Sequence, residues 1–247
     1  MNYNLLIDIG NSGIKIAKAS KNKILNIKRF EYTGNDFVNI IENIPHFFPD
    51  NFLKVAVSSL NNKLKKKISE IIKRKFDLTP LFIDMKVNLP LKFKYSDTLG
   101  SDRICSAVAA FIKFNNKKNI LVIDFGTATT FNLISNGNYL GGLISIGIQT
   151  SLKALAQNTT LPLVNFKNIP ELINNDTNSN IVAGAYYQNL FTVERIIREM
   201  KKEYKGLFVV ATGGMSDLIM RKTGTIDIYE PNLVLDGLNL ILELNVN

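Results

Sequence analysis

Two short stretches of the sequence carry an aspartate at the end of an apolar run. Asp8 ends the run in "LLIDIGNSGIKIA", and Asp124 ends a similar one in "LVIDFGTATTFNL", nearly half the chain downstream. A glycine follows each aspartate two residues later, and small polar residues come next. A carboxylate at a strand end can orient Mg²⁺, its water or a reacting hydroxyl, and glycine lets backbone amides approach a phosphate closely. The two stretches therefore predict phosphate chemistry.

A hairpin turn alone would explain one such stretch, because Asp and Asn commonly satisfy turn geometry. Two copies at matching places are instead typical of a duplicated phosphate-binding loop. Lys15, which follows the first loop, either contacts phosphate or lies on a solvated strand face.

Both aspartates begin the same order of predicted elements, three strands followed by alternating helices and strands. In the first half the pattern predicts strands at 4–9, 13–19, 23–31, 54–59 and 80–84 and helices at 35–44, 61–76 and 103–114. In the second half it predicts strands at 119–125, 129–135 and 138–145 and in "GLFVVATGG", and helices at 148–157, 177–203, 215–221 and 231–244. We expect an α/β chain with domains at 1–117 and 118–247, each a βββαβαβα-type unit.

Composition favours a globular protein, since 46% of the 247 residues are hydrophobic and 21% are charged. No apolar run approaches the ~18 residues of a membrane helix, and the N-terminus lacks the pattern of a secretory signal. The one cysteine, Cys105, cannot form an intramolecular disulfide and is expected in the core. We therefore expect a cytoplasmic protein that does not interact with a membrane.

The net charge of +9 is partly local. Residues 61–76 hold seven lysines and arginines, and their apolar positions fall on one helical face, so the basic residues lie on a solvated face. The sequence shows no nucleic-acid-binding module. His46 has no Cys or His cluster around it, which argues against a soft-metal site. We expect no nucleic-acid partner.

Two further motifs carry polar residues beside glycines. "GSDR" (100–103) opens a helix after an irregular connection, and its adjacent Asp102 and Arg103 could act as a base and a carboxylate-binding group. Asp102 could equally be a helix N-cap, and the same alternative holds for Thr177 at the start of the helix 177–203. "TGG" (212–214) follows a strand and is a candidate for close approach of a ligand.

Taken in order, these motifs resemble those of the sugar-kinase/Hsp70/actin superfamily. "GSDR", "GGLISIGI" (141–148) and Thr177, seven residues before Gly184, resemble type III pantothenate kinases more narrowly. The resemblance implies two ribonuclease-H-like (actin-like ATPase) domains around a nucleotide cleft. It also implies ATP-dependent phosphorylation of pantothenate to 4'-phosphopantothenate, the first step of coenzyme A biosynthesis, with Mg²⁺, a monovalent cation (K⁺ or NH₄⁺) and a homodimer.

The resemblance also implies roles for individual residues. ATP would be bound by Asp8, Ile9, Gly10, Asn11, Ser12, Gly13, Ile14 and Lys15, and by Thr127, Gly213 and Gly214. Pantothenate would be bound by Tyr95, Gly100, Ser101, Asp102 and Arg103, and by Thr177 of the partner subunit. Asp102 would be the catalytic base, and Asp124 would hold the monovalent cation. Tyr95 is also consistent with an ordinary packed tyrosine.

Two positions depart from the family pattern. Ser12 stands where the family usually has threonine, and a serine hydroxyl still donates. Ile146 stands where a proline usually precedes Gly147, which leaves the shape of that loop open. The apolar residues of the helix 177–203, Ile181, Val182, Ala185 and Leu190, are expected to be buried in the dimer.

Two alternatives to this function remain at this stage. One is a nucleotide-binding transcriptional accessory protein of the same family, and the other is a superfamily kinase with a different small-molecule acceptor. Asp102 and Arg103 favour an enzyme over the first alternative, and "GSDR" favours the narrower family over the second.

Overall fold

The computed structural model describes residues 3–21, 23–32, 36–59 and 64–246. The strands are β1 (Tyr3–Ile9), β2 (Gly13–Ser20), β3 (Lys23–Glu31), β4 (Phe52–Ser59), β5 (Leu81–Phe82), β6 (Lys92–Phe93), β7 (Asn119–Phe125), β8 (Ala128–Ser135), β9 (Asn138–Ile146), β10 (Phe208–Thr212) and β11 (Ile228–Tyr229). The helices are α1 (Phe37–Glu42), α2 (Ile44–Phe47), α3 (Lys65–Phe76), α4 (Ser101–Lys113), α5 (Ile148–Asn158), α6 (Thr177–Glu203), α7 (Ser216–Met220) and α8 (Leu233–Asn245).

The chain divides into two compact units. The first comprises residues 1–115, 137–139 and 232–247, and the second comprises 116–136 and 140–231. This division differs from a boundary near residue 117 chiefly in the C-terminal residues 232–247, which belong to the first unit.

The first unit contains a sheet with strand order β3-β2-β1-β4-β5. The first three strands form an antiparallel meander, and β4 lies parallel to β1. Asp8 at the end of β1 is opposite Lys15 on β2 and Ser58 on β4. The register therefore gathers these three side chains at one edge of the sheet.

The second sheet has strand order β11-β10-β7-β8-β9-β6, and its first five strands repeat this arrangement. The β7–β8 pair is antiparallel, whereas β10 lies parallel to β7. Asp124, at the end of β7, is opposite Thr130 on β8 and Thr212 on β10. The prediction of an α/β fold with two related halves is confirmed, because each half places its aspartate at the end of a central strand.

Each sheet packs against helices through its own hydrophobic core. The core of the first unit includes Leu5, Ile7 and Val55 of the sheet and Ile41, Ile68 and Ile72 of the helices. The core of the second unit includes Leu121, Ile123 and Val209 of the sheet and Leu152, Ile181 and Ile197 of the helices. Cys105 is fully buried, as expected.

The C-terminal helix α8 is held in the first unit by close packing and buried polar bonds. A Cβ on Gly237 would overlap the carbonyl oxygen of Cys105 in α4. The Asn4 amide donates to Asn239 Oδ1 at 2.8 Å and to Glu243 Oε1 at 2.7 Å. These contacts are long-range, so the local pattern that predicted the helix gave no sign of them.

The structure corrects the predicted elements in three places. The helix expected at 35–44 is two helices, α1 and α2, and Pro45 stands in the first turn of the second. The short strands β6 and β11 were not predicted, since two residues cannot show a period of two. Residue 35 and residues 61–63, where two predicted helices begin, lie outside the described part of the chain.

Candidate functional site

The turn between β1 and β2 presents small residues to solvent. Gly10 N donates to Gly13 O at 3.0 Å, which closes the turn. Tyr32 Oη donates to Gly10 O at 2.5 Å, and this hydrogen bond also stabilises the turn. Asn11 and Ser12 at its tip are exposed. An exposed turn of this kind can offer backbone amides and short polar side chains to a phosphate.

Asp8 lies buried beneath this turn. Its Oδ2 lies 3.8 Å from Lys15 Nζ, and its carboxylate accepts a hydrogen bond from Ser58. Burial raises the pKa of Asp8, and the nearby charge of Lys15 opposes that shift while the charge of Asp102 adds to it. Lys15 is therefore an ionic partner of Asp8, and its side chain remains partly exposed.

Two serines at the end of β4 connect Asp8 to the start of α4. The Ser58 and Ser101 hydroxyls lie 3.1 Å apart, and Ser59 N donates to Ser101 Oγ at 2.9 Å. Ser101 Oγ in turn donates to Ser59 O at 3.2 Å. Sequence reasoning missed Ser58 and Ser59. The signal was present, since two polar residues end an apolar strand that runs parallel to β1.

Helix α4 begins at Ser101, and Gly100 is its N-cap, so the alternative role of Asp102 as the N-cap is wrong. Asp102 lies in the first turn, where its Oδ1 accepts from Arg103 N at 2.8 Å. Burial raises the pKa of Asp102, whereas its hydrogen bond to Arg103 N and the charges of Arg103 and Lys15 oppose the shift. A desolvated carboxylate of this kind is typical of functional sites.

Arg103 follows Asp102 and is only 7% exposed. Its guanidinium carbon lies 5.6 Å from the centre of the Tyr95 ring. Tyr95 is 40% exposed, and its ring meets that of Tyr139 edge-on at 5.9 Å. Tyr95 is thus an aromatic neighbour of Arg103 that remains open to solvent. The first unit brings together Asp8, Lys15, Asp102, Arg103 and Tyr95.

The second unit has its own turn after Asp124, which is half-buried at the end of β7. Gly126 N donates to Ala128 O at 3.1 Å, and Thr127 at the tip is exposed. The start of α5 supports this turn, because Thr150 Oγ1 donates to Thr127 O at 2.6 Å. The turn resembles the first one in the exposure of the polar residue at its tip, although its closing hydrogen bond spans two residues rather than three.

The glycines near this turn differ in how closely other atoms approach them. Gly213 has φ +95°, and a Cβ there would overlap Asp124 Oδ1 and lie 2.6 Å from Phe125 N. Gly142 would likewise overlap Phe131 O. Internal packing therefore explains both glycines without a ligand. A Cβ on Gly214 would meet no atom within 4 Å, so the space beside that residue is open.

Ile146 does not disturb the loop that follows it. Strand β9 continues through Ile146, and Gly147 is the N-cap of α5. A Cβ on Gly147 would lie 2.6 Å from both Gly126 O and Thr127 O. The glycine, rather than a proline before it, lets α5 approach the second turn.

Thr177 is the first residue of α6 and is exposed. The N-cap is Asp176, whose side chain accepts from Ser179 N at 2.9 Å, so the alternative role of Thr177 as the N-cap is wrong. Thr177 lines a cavity of about 740 Å³ in the second unit. The cavity is also lined by Ile146, Leu155, Asn158, Asn180, Ile181 and Gln188.

Within the described residues, no group of three or more His, Cys, Asp or Glu side chains could hold a metal ion. Mg²⁺ in nucleotide sites commonly binds one or two carboxylates, substrate phosphates and water. Single carboxylates beside exposed turns, such as Asp8 and Asp124, fit that mode of binding.

Comparison with known proteins gives one family and one fold. A model of type III pantothenate kinase matches residues 4–199. A protein from Campylobacter jejuni assigned to the Baf family of transcriptional activators is 21% identical, with a TM-score of 0.62 over 97% of this chain and 98% of its own.

Two other solved structures have the same fold. The activator of 2-hydroxyisocaproyl-CoA dehydratase from Clostridium difficile, solved with ADPNP, is 15% identical, with a TM-score of 0.58 over 98% of this chain and 94% of its own. The ROK hexokinase from Thermus thermophilus is 10% identical, with a TM-score of 0.55 over 98% of each chain.

We expect Ser58→Ala to reduce the free energy of unfolding by about 1–3 kcal/mol at pH 7, because Asp8 and Ser101 lose a buried partner. The Ser58 hydrogen bond favours the ionised form of Asp8. The loss should therefore shrink as the pH falls and Asp8 becomes protonated. Urea denaturation at several pH values measures it.

Ser216→Ala is the matched control. Ser216 is fully buried, and its hydroxyl donates to Thr212 O at 2.5 Å, a neutral acceptor. Its loss should not vary with pH. Equal pH profiles for the two variants would show that Ser58 does not stabilise a charge.

Proposed function

This chain belongs to the type III pantothenate kinase family, and on that premise we propose that it transfers the γ-phosphoryl group of ATP to pantothenate. The product would be 4'-phosphopantothenate, the first intermediate of coenzyme A biosynthesis. The observation that carries the proposal is the pair of adjacent residues Asp102 and Arg103 at the start of α4. One is a desolvated carboxylate and the other a buried guanidinium beside an aromatic ring.

The acceptor requires two kinds of recognition. Pantothenate has one carboxylate and one primary hydroxyl, and arginine can bind a carboxylate through two parallel hydrogen bonds. Arg103 would bind the carboxylate, and Asp102 would take the proton of the attacking hydroxyl. Because the two residues are adjacent, a folded substrate or further contacts from Tyr95 and the backbone at Gly100 would be needed. The Ser101 hydroxyl is hydrogen-bonded to the backbone of Ser59, so Ser101 would contact the substrate through its own backbone.

ATP would be held by the turns and by Lys15. The first turn, from Ile9 through Ile14, would place Asn11 and Ser12 against phosphate oxygens, and Thr127 would donate from the second turn. Gly214 would leave room for adenosine. Mg²⁺, when bound to the phosphates, supplies the charge stabilisation that phosphoryl transfer needs. We also propose that the kinase is cytoplasmic. Within the described residues, no helix is both long and apolar enough to cross a bilayer.

Asp124 would hold a monovalent cation, K⁺ or NH₄⁺. The second turn contains no lysine or arginine between Asp124 and Thr130, so positive charge near it must come from elsewhere. A bound cation would provide that charge when it is present.

A second copy of the chain would complete the site with its Thr177. The apolar residues of α6 that suggested an interface are in fact buried in their own unit, so they cannot form one. Strand β9 instead exposes Leu140, Leu143, Ile144 and Ile146, and Leu155 is exposed on α5. Exposed apolar residues that cluster along one strand are typical of an interaction surface. They support a homodimer that buries this strand.

We predict that Asp102→Asn lowers the turnover of pantothenate by roughly two to four orders of magnitude, the usual effect of losing a general base. ADP release coupled to pantothenate measures it. The melting temperature at pH 7 should stay level or rise. Burial raises the folded-state pKa of Asp102 above 3.8, so its ionised form destabilises the folded chain at pH 7. That difference should vanish as the pH falls below 3.8, where both states are protonated.

Wild-type turnover in Asp102→Asn would remove the residue from the mechanism. ADP release that does not depend on pantothenate in the wild-type protein would instead contradict the acceptor. Nucleotide binding without any turnover would favour a regulatory protein of the same family.

Replacing Na⁺ with K⁺ should raise the wild-type rate steeply. Asp124→Asn should increase the K⁺ concentration for half-maximal rate by roughly tenfold or more, because a cation ligand is lost. Asp217→Asn is the control, since Asp217 forms an exposed ion pair with Arg221 on α7. Equal rates in Na⁺ and K⁺ buffers would contradict the cation assignment.

Ile144→Asp should raise the dissociation constant of the dimer by about 30-fold or more, since a charge would enter an apolar interface. Ultracentrifugation at assay concentration measures this, and activity should fall with the dimer fraction. Leu53→Asp is the control, because Leu53 is an exposed apolar residue on β4 of the first unit. A fully active wild-type monomer would refute the shared site.

A further inference from the structure

Tyr139 comes from the second half of the sequence but lies in the first unit. It is the second residue of β9, where β6 pairs with it in parallel and Phe93 is opposite Tyr139. Lys94 N donates to Tyr139 O at 3.0 Å. The Tyr139 side chain is fully buried. The short strand β6, which the sequence did not reveal, therefore places this tyrosine.

Three aromatic rings form a cluster at this point, which we call the ring cluster: Phe93, Tyr95 and Tyr139. The centres of the Phe93 and Tyr139 rings are 5.1 Å apart, and the Tyr95 ring meets Tyr139 edge-on at 5.9 Å. Such pairs contribute stability beyond the area they bury. Arg103 lies over the outer ring, that of Tyr95. The cluster thus gives the buried guanidinium a rigid surface.

The Tyr139 hydroxyl forms a side-chain hydrogen bond with Arg103. Burial raises the pKa of Tyr139 to about 12, so the hydroxyl stays neutral at physiological pH. A neutral oxygen can fix the orientation of a guanidinium without cancelling its charge. A carboxylate in the same place would form an ion pair with Arg103 and compete with an anionic ligand.

We propose that Tyr139 is a positioning residue for substrate recognition: its hydroxyl, set by the ring cluster, orients Arg103 so that the full positive charge is directed to the carboxylate of the acceptor. The identity of that acceptor as pantothenate rests on the proposed function. The orientation of Arg103 by Tyr139 does not depend on it.

The first test is Tyr139→Phe, which keeps the ring and removes only the hydroxyl. We expect the KM for pantothenate to rise about tenfold, which is the effect of losing one hydrogen bond to a charged group. The kcat and the KM for ATP should change less than about threefold. With the N-ethyl amide of pantothenate, which has no carboxylate, the variant and the wild type should have similar kcat/KM values.

Tyr186→Phe is the matched control. Tyr186 is also fully buried, burial likewise raises its pKa to about 12, and its hydroxyl donates to Leu218 O at 2.9 Å in the second unit. This variant should lose a similar amount of thermal stability and keep the wild-type KM. A wild-type KM for pantothenate in folded Tyr139→Phe would overturn the proposal.

The second test needs no substrate. The Nε–Hε signal of Arg103 in ¹H–¹⁵N spectra, identified by its absence in Arg103→Lys, should shift or broaden in Tyr139→Phe and stay unchanged in Tyr186→Phe. An unchanged Arg103 signal in Tyr139→Phe would overturn the proposal. If the wild type does not phosphorylate pantothenate, the proposed function fails, and this spectrum still decides whether Tyr139 orients Arg103.

Discussion

Burying negative charge is the constraint on which the rest of the first unit depends. Asp8 and Asp102 both lie where burial raises their pKa, and the charge of Asp102 further disfavours ionisation of Asp8. An ionised carboxylate removed from water is costly unless it is hydrogen-bonded or paired. Here Lys15, Ser58 and the backbone N–H of Arg103 supply that compensation. The register of three strands and the start of one helix serve to bring these groups to the carboxylates.

The aspartates that precede the two turns differ in burial and in their charged neighbours. In the first unit the aspartate is buried and paired with a lysine of the next strand. In the second unit the aspartate is half-buried beside a turn with no basic residue. Gly213 lets one backbone segment pack against the aspartate, and Gly147 lets another pack against the turn. The same kind of turn can therefore diverge, with one copy above a buried carboxylate that is paired with a lysine and the other beside a half-buried carboxylate that has no basic residue in its turn.

The hydrophobic pattern of the sequence predicted the secondary structure correctly where that pattern was long and regular. Strand β7 and helix α6 have the predicted bounds, because an apolar run and a long helical period leave little ambiguity. The pattern failed for β6 and β11, which are two residues long. The placement of α8 depends on Gly237 meeting Cys105, a contact between distant parts of the sequence. Tyr139 and Ser58 were missed for the same reason, since each matters only through neighbours that the fold brings to it. Asp102 and Arg103 could be found because they are adjacent in the sequence.

The central claim is that the Asp102–Arg103 pair serves a kinase whose acceptor is pantothenate. The most direct measurement incubates the protein with ATP, Mg²⁺ and K⁺ and one acceptor at a time (pantothenate, a hexose and N-acetylmannosamine), and follows the product by ³¹P NMR. The account predicts a new phosphomonoester signal with pantothenate and none with either sugar. A phosphorylated sugar with unchanged pantothenate, or ATP that stays intact with every acceptor, would contradict it.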